Sequence, residues 1–194
     1  MERREQPAAP QGLLVRRLRV FLAMGWAVCL VAAGSATYAF QDNDDPSSVE
    51  TFCLGDGTGA PCPCSNYGNP GEGCKSSTGA GALLSFDGSP DIQADDFRLI
   101  AVNCPANAPG VFFGGGAGTI TLPFGNGLLC VSSDVVRVGT VICDRNGVAQ
   151  SPTGFAALEH LTQGDVRYYQ FWFRDVIGPC AAAYNTSNGL RVQW

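Results

Sequence analysis

The chain has 194 residues, 45% hydrophobic, 15% charged and 10% aromatic, with 25 glycines, 12 prolines and nine cysteines against two methionines and one histidine. This balance excludes a disordered chain, which is poorer in apolar groups, a collagen, whose glycines recur in threes, and a helical bundle, which so much glycine would break. Length and a formal net charge of −5 describe one domain of ordinary size with an appendage.

The appendage comes first. Arg3, Arg4, Arg16, Arg17 and Arg19 precede an apolar run over residues 20–33, and small residues follow at Gly34, Ser35 and Ala36. This order predicts a secretory signal peptide over residues 1–39, cleaved after Ala36 or Ala39. An uncleaved N-terminal anchor is the alternative, because residues 20–40 are just long enough to span a bilayer. Basic residues before the run and Asp42, Asp44 and Asp45 after it give one orientation either way, so the remainder is expected to be exported: extracellular, at the cell surface or periplasmic. Beyond the appendage, seven basic and fifteen acidic residues leave a net charge of −8. That charge argues against nucleic acid as a partner, and against a membrane surface other than through the signal or anchor. Cys29 belongs to the signal. The other eight cysteines, Cys53, Cys62, Cys64, Cys74, Cys104, Cys130, Cys143 and Cys180, read as a disulfide framework.

Residues 40–51 are polar, acidic and proline-containing, which predicts a flexible tether. Residues 52–79 predict an irregular, disulfide-rich knot. Within residues 53–74, thirteen of twenty-two residues are Cys, Gly or Pro, a composition that leaves no room for a helix or regular strand. With few apolar side chains to bury, the knot must take its order from cross-links.

From residue 80 to 194 short apolar runs alternate with turn residues. Strands are predicted at 82–86, 97–102, 111–113, 119–122, 128–131, 135–142, 167–174 and 190–194. Turn signals stand at Asp87-Gly88, Pro109-Gly110, Gly114-Gly115-Gly116, Asn126-Gly127, Asn146-Gly147 and Asn188-Gly189. Residues 155–161 hold at most two turns of helix. The expected fold is all-β, an antiparallel sandwich or barrel. The segment over residues 161–175 resembles the tyrosine corner of immunoglobulin-like and fibronectin type III sandwiches, with Tyr168 or Tyr169 as the corner residue, and it favours the sandwich. Alternation along this strand puts Tyr169, Phe171 and Phe173 inward and Tyr168, Gln170, Trp172 and Arg174 on the other face.

FCLGDGTGAPCPC at 52–64, GNPGEGCKSSTGAGALL at 68–84, PFGNGLLC at 123–130, RYYQFWFRDVIGPC at 167–180 and NTSNGLRVQW at 185–194 together resemble a cysteine-rich exported bacterial β-domain, over nearly all of residues 52–194. The resemblance implies a secreted, disulfide-bonded domain, found alone or attached to other extracellular proteins, without an established biochemical role. It also implies that Cys104 and Cys143 pair with each other and that Cys74 pairs with Cys130.

Chemistry is sparse. Zinc is disfavoured at Cys53, Cys62, Cys64 and Cys74 by their spacing and by an oxidising compartment. His160 is the only histidine and stands beside Glu159 without a nucleophile motif, so it reads as a surface residue. Asp95, Asp96, Glu159 and Asp175 could supply the carboxylate pair of a hydrolase. No cofactor is expected, except that Asp42, Asp44, Asp45 and Asp56 are candidate calcium ligands. Tyr168, Trp172 and Trp194 are candidate sugar-stacking residues. The expected function is a non-catalytic structural or interaction module whose partners are other surface proteins or glycans, with a carbohydrate-binding module and then a carboxylate-dependent hydrolase as the alternatives.

Overall fold

The computed structural model describes residues 48–118 and 121–194. The signal or anchor, most of the tether, and Asp42, Asp44 and Asp45 lie outside the described residues. Among those described, no helix is long and apolar enough to cross a membrane.

The fold is nearly all β. In chain order the elements are β1 (Val49–Phe52), β2 (Leu83–Asp87), β3 (Arg98–Val102), β4 (Pro109–Gly115), β5 (Leu122–Phe124), β6 (Gly127–Leu129), β7 (Val136–Ile142), β8 (Ala149–Gln150), α1 (Phe155–Glu159), β9 (Val166–Arg174) and β10 (Tyr184–Gln193). They form a five-stranded sheet in the order β1-β10-β9-β4-β7, a three-stranded sheet β2-β3-β8 and the hairpin β5-β6. Every ladder is antiparallel.

The period-two pattern of β9 decides which face of the large sheet is inside. Tyr169, Phe171 and Phe173 are fully buried, together with Phe112 of β4, Val138 of β7 and Leu190 and Val192 of β10. They share one core with Leu84, Leu99, Ala101 and Ala149 of the small sheet. Phe97, Phe155 and Trp194 complete it, with the Phe97 and Trp194 rings edge to face at 5.2 Å. A second, small core joins Cys62 and Cys74 of the cysteine-rich segment to Leu128 of β6 and to Cys130, flanked by Phe52 and Cys53.

Several local expectations give way to the fold. The tether ends before Val49, because Val49–Phe52 pairs with Gly189–Val192 as the edge strand β1. Pro109-Gly110 and Gly114-Gly115 are strand, not turn: β4 runs through both. A Cβ on Gly114 would stand 2.7 Å from the Tyr169 ring, so glycine here admits a close aromatic neighbour. Asn188-Gly189 also lies inside a strand, where β10 shifts register between Thr186 and Gly189. The hairpin turn falls one residue earlier than the Asn126-Gly127 signal, at Gly125-Asn126, with Gly125 at φ 64° and Gly127 already in β6.

Cys74 is bonded to Cys62 and Cys130 to Cys53, which corrects the pairing of Cys74 with Cys130. The remaining bridges are Cys64–Cys180 and Cys104–Cys143. The physical reason lies in the chain path. Cys53 follows β1, which adjoins β10, and β6 just before Cys130 is fastened to β10 through Thr186, so the two cysteines meet over one strand.

Tyr169 departs from the tyrosine-corner pattern. Its hydroxyl donates to the Glu159 carboxylate at 2.9 Å, where a tyrosine corner would satisfy backbone. Glu159 also receives the Arg167 guanidinium, Nε at 2.7 Å and the Nη2 contact closer still. The Glu159 side chain has no exposure and that of Arg167 has 14%. This cluster fixes the end of α1 to β9.

Candidate functional site

On the far face of the large sheet, alternation sends Val111 and Phe113 outward from β4, Trp172 outward from β9 and Arg137 outward from β7. The ladders place Val111 opposite Trp172 and Phe113 opposite Arg137. The β5-β6 hairpin stands over the same face and contributes Phe124 and Leu129. With Val135, these residues line a groove of about 470 Å³.

The hairpin is held in place by buried polar groups, of which Gln170 was expected on the face of β9 opposite the core. Gln170 is fully buried. Its Nε2 donates to the Leu128 and Ser187 carbonyls at 2.7 and 2.8 Å, and its Oε1 accepts from Cys130 N–H at 3.1 Å. Thr186 Oγ1 donates to the Leu128 carbonyl at 2.7 Å and accepts from its N–H at 3.0 Å. At the turn, the Asn126 side chain donates to Ala182 and Tyr184 carbonyls and accepts from Cys180 and Ala182 N–H groups. A buried amide completing this many bonds is a rigid fastener, since leaving any of them unmade would carry a desolvation penalty. Trp172 is braced in turn: its ring centroid lies 6.0 Å from that of Tyr184, which lies 4.9 Å from that of Phe124.

Among the described residues, Arg137 is the only charged one lining the groove. It is exposed, and among the described residues it makes no ion pair, whereas Arg98, Arg167 and Arg191 pair with Asp87, Glu159 and Glu50.

The three aromatic residues put forward for sugar stacking do not come together. Trp172 lines the groove, but Tyr168 packs edge-on against Phe52 at 5.5 Å and Trp194 is 1% exposed, inside the core. The terminal tryptophan is drawn inward because Phe97 and Phe155 offer it an aromatic cavity. Sequence reasoning missed Phe113, Phe124, Leu129, Val135 and Arg137 as partners of Trp172. Alternation within β4 and β7 carries part of that signal, but the position of the hairpin over them is a tertiary fact.

The candidate acids have other work. Asp95 caps α1 from outside, accepting from Ala156 N–H at 2.9 Å, which supplies the cap that Gly154 lacks. Asp96 accepts from Ser89 N–H at 2.9 Å. Asp175, 1% exposed, accepts from Ser77 N–H at 3.2 Å and ties the knot segment to the end of β9. Glu159 is taken by Arg167 and Tyr169. Burial, then the Glu159 charge, push the Tyr169 hydroxyl well above the usual phenol range. His160 is exposed and ends α1 in the left-handed conformation at φ 53°.

Asp56, the described member of the calcium set, uses both oxygens within the knot. Oδ1 accepts from Thr58 N–H and Oγ1 at 2.9 and 2.6 Å, and Oδ2 accepts from Gly71 N–H at 2.9 Å. These bonds, the Thr58 hydroxyl first, hold its carboxyl down at about 2. Among the described residues, no three His, Cys, Asp or Glu side chains converge as a metal site.

No family model, curated protein or solved structure matches the chain.

Proposed function

We propose that the chain is an exported, non-catalytic binding module built as an antiparallel β-sandwich of the immunoglobulin or fibronectin type III kind, with the groove around Trp172 as its recognition surface. One contrast carries the reading: the candidate acids Asp95, Asp96, Glu159 and Asp175 are each bound to structural N–H, O–H or guanidinium donors, whereas the groove presents apolar side chains that no other described residue covers. Export is supported by the order of residues 1–39 and by four disulfides, which persist in oxidising compartments.

A panel of chromogenic glycosides and esters tests the non-catalytic reading. The expected result is no turnover above heat-denatured protein. Turnover that disappears in Asp95→Asn or Glu159→Gln would establish a carboxylate hydrolase instead. N-terminal sequencing of protein recovered outside the cytoplasm should begin after Ala36 or Ala39, and recovery only from the cytoplasm would overturn the export reading.

Trp172 supports a second reading, a carbohydrate-binding module, because it is the one candidate stacking residue that reaches the groove. Retention on immobilised polysaccharides, lost in Trp172→Ala, would establish it.

A further inference from the structure

We infer that the groove binds a free single-chain anionic amphiphile, an extended apolar chain ending in a carboxylate, with the head group on Arg137 and the tail along Phe113, Leu129 and Trp172. The inference rests on the reading of the chain as a binding module and assigns that module a ligand class.

Size and lining point the same way. Small-molecule sites occupy about 300–1,000 Å³ and combine predominantly apolar walls with few polar groups. Here six apolar residues and one arginine line about 470 Å³. A protein partner would ordinarily bury about 800 Å² on each side, a broader surface than one groove offers. A sugar would carry many hydroxyls into a wall whose only charged or hydrogen-bonding side chains, among the described residues, are Arg137 and the Trp172 indole, and every hydroxyl left without a partner costs free energy. An alkyl chain carries none. Its tail gains by leaving water in proportion to the apolar area covered.

The head group follows from charge. Beyond the signal segment the chain carries −8, yet the groove holds a single cation with no ion pair among the described residues. A guanidinium beside an apolar wall suits a carboxylate, which it can engage through two parallel N–H bonds, and its methylene stem extends the apolar surface. The same net charge argues for the free amphiphile over a bilayer, because an anionic membrane surface repels an acidic domain. The groove is also prebuilt. Trp172 is braced through Tyr184, and Gln170, Thr186 and Asn126 hold the hairpin, so little ordering cost falls on binding.

The test titrates the exported protein with sodium dodecanoate below its micelle concentration, read by calorimetry and by quenching of Trp172 with bromine-labelled dodecanoate. Saturable one-to-one binding is expected. Arg137→Gln, an exposed change that should leave the melting temperature unaltered, is expected to weaken dodecanoate about tenfold or more. Dodecanol should bind as weakly as dodecanoate does to that variant, and should be indifferent to the substitution. Absence of saturation, equal affinity in Arg137→Gln, or sedimentation with phosphatidylglycerol vesicles in preference to the free acid would overturn the proposal. Polysaccharide binding lost in Trp172→Ala would also overturn it, in favour of the sugar reading. Failure with dodecanoate removes the ligand class alone; the broader module reading falls only if the chain turns over substrates.

Discussion

Asn188 and Leu84 exchange two hydrogen bonds between strands that belong to different sheets. Leu84 N–H donates to Asn188 Oδ1 at 2.6 Å, and Asn188 Nδ2 donates to the Leu84 carbonyl at 3.1 Å. The side-chain amide imitates a peptide group and continues β2 onto β10 where no backbone ladder exists. It reaches there because the register shift between Thr186 and Gly189 interrupts the alternation of β10. Asn188→Ala leaves both Leu84 groups buried and unpaired, at about 1–3 kcal/mol for each. Urea denaturation should register a loss of that order. A loss below about 0.5 kcal/mol, the scale of an ordinary surface change, would show that the amide is not a structural bond.

The Glu159 cluster makes a graded prediction. Tyr169→Phe removes one donor to a buried carboxylate that keeps its arginine, and should cost about 1.5–3 kcal/mol. Arg167→Ala leaves the same carboxylate without a counter-charge and should cost about 3–5 kcal/mol. Reversal of that order in chemical denaturation would mean that the hydroxyl, not the ion pair, holds α1 to β9. The raised phenol has a second consequence. Folded Tyr169 keeps its proton above pH 10 while the unfolded chain loses it, so its contribution is full below pH 10 and declines as pH rises beyond. Tyr169→Phe should therefore flatten part of the alkaline limb of the stability profile.

Strand β9 was legible because its driving force is local: aromatic residues stand at every second position, on one face, and burial follows at Tyr169, Phe171 and Phe173. The same alternation misplaces Gln170. A polar residue on an outward face reads as solvated, and only the hairpin and Cys130, brought over it by tertiary structure, make it a buried anchor. The NTSNG segment misleads for a related reason. Asn and Gly side by side favour a turn, yet Asn185, Thr186, Ser187 and Asn188 are all buried in β10, bonded to the knot, the hairpin, β9 and β2. Of the groove, the sequence offers Trp172 and a face; Phe124, Leu129 and Arg137 join it through contacts between segments distant in the chain.

Asp56 links the knot to acid. Its carboxyl ionises at about 2 in the folded chain against the ordinary 3.8 of an aspartate, so its contribution is present above pH 3.8 and is lost as pH falls toward 2. Carboxyl resonances followed by pH titration should show Asp56 titrating well below the ordinary aspartate range, and Asp56→Asn should flatten the acid limb of stability between pH 4 and 2. An ordinary titration near 3.8 would mean that the bonds to Thr58 and Gly71 do not persist in solution.

The cross-links of the knot can be separated by where the chain is cut. Cleavage before every aspartate and after every glutamate places Cys53, the pair Cys62 and Cys64, Cys74, Cys130 and Cys180 on five separate fragments. In the unreduced protein the Cys53 fragment should then be joined to that of Cys130, while the Cys62–Cys64 fragment should be joined both to Cys74 and to Cys180. A fragment joining Cys74 to Cys130 would overturn this connectivity. The bridges should also differ in weight, because closing a longer loop removes more freedom from the unfolded chain. Cys53–Cys130 spans 77 residues and Cys62–Cys74 spans 12. Loop entropy alone gives about 4.5 kcal/mol for the first and about 3 kcal/mol for the second. Paired Cys→Ala replacement should lower the urea midpoint more for Cys53 and Cys130, which also anchor β1 to the hairpin beside the groove, and ligand binding should weaken with the loss of that pair before it responds to the loss of the shorter one.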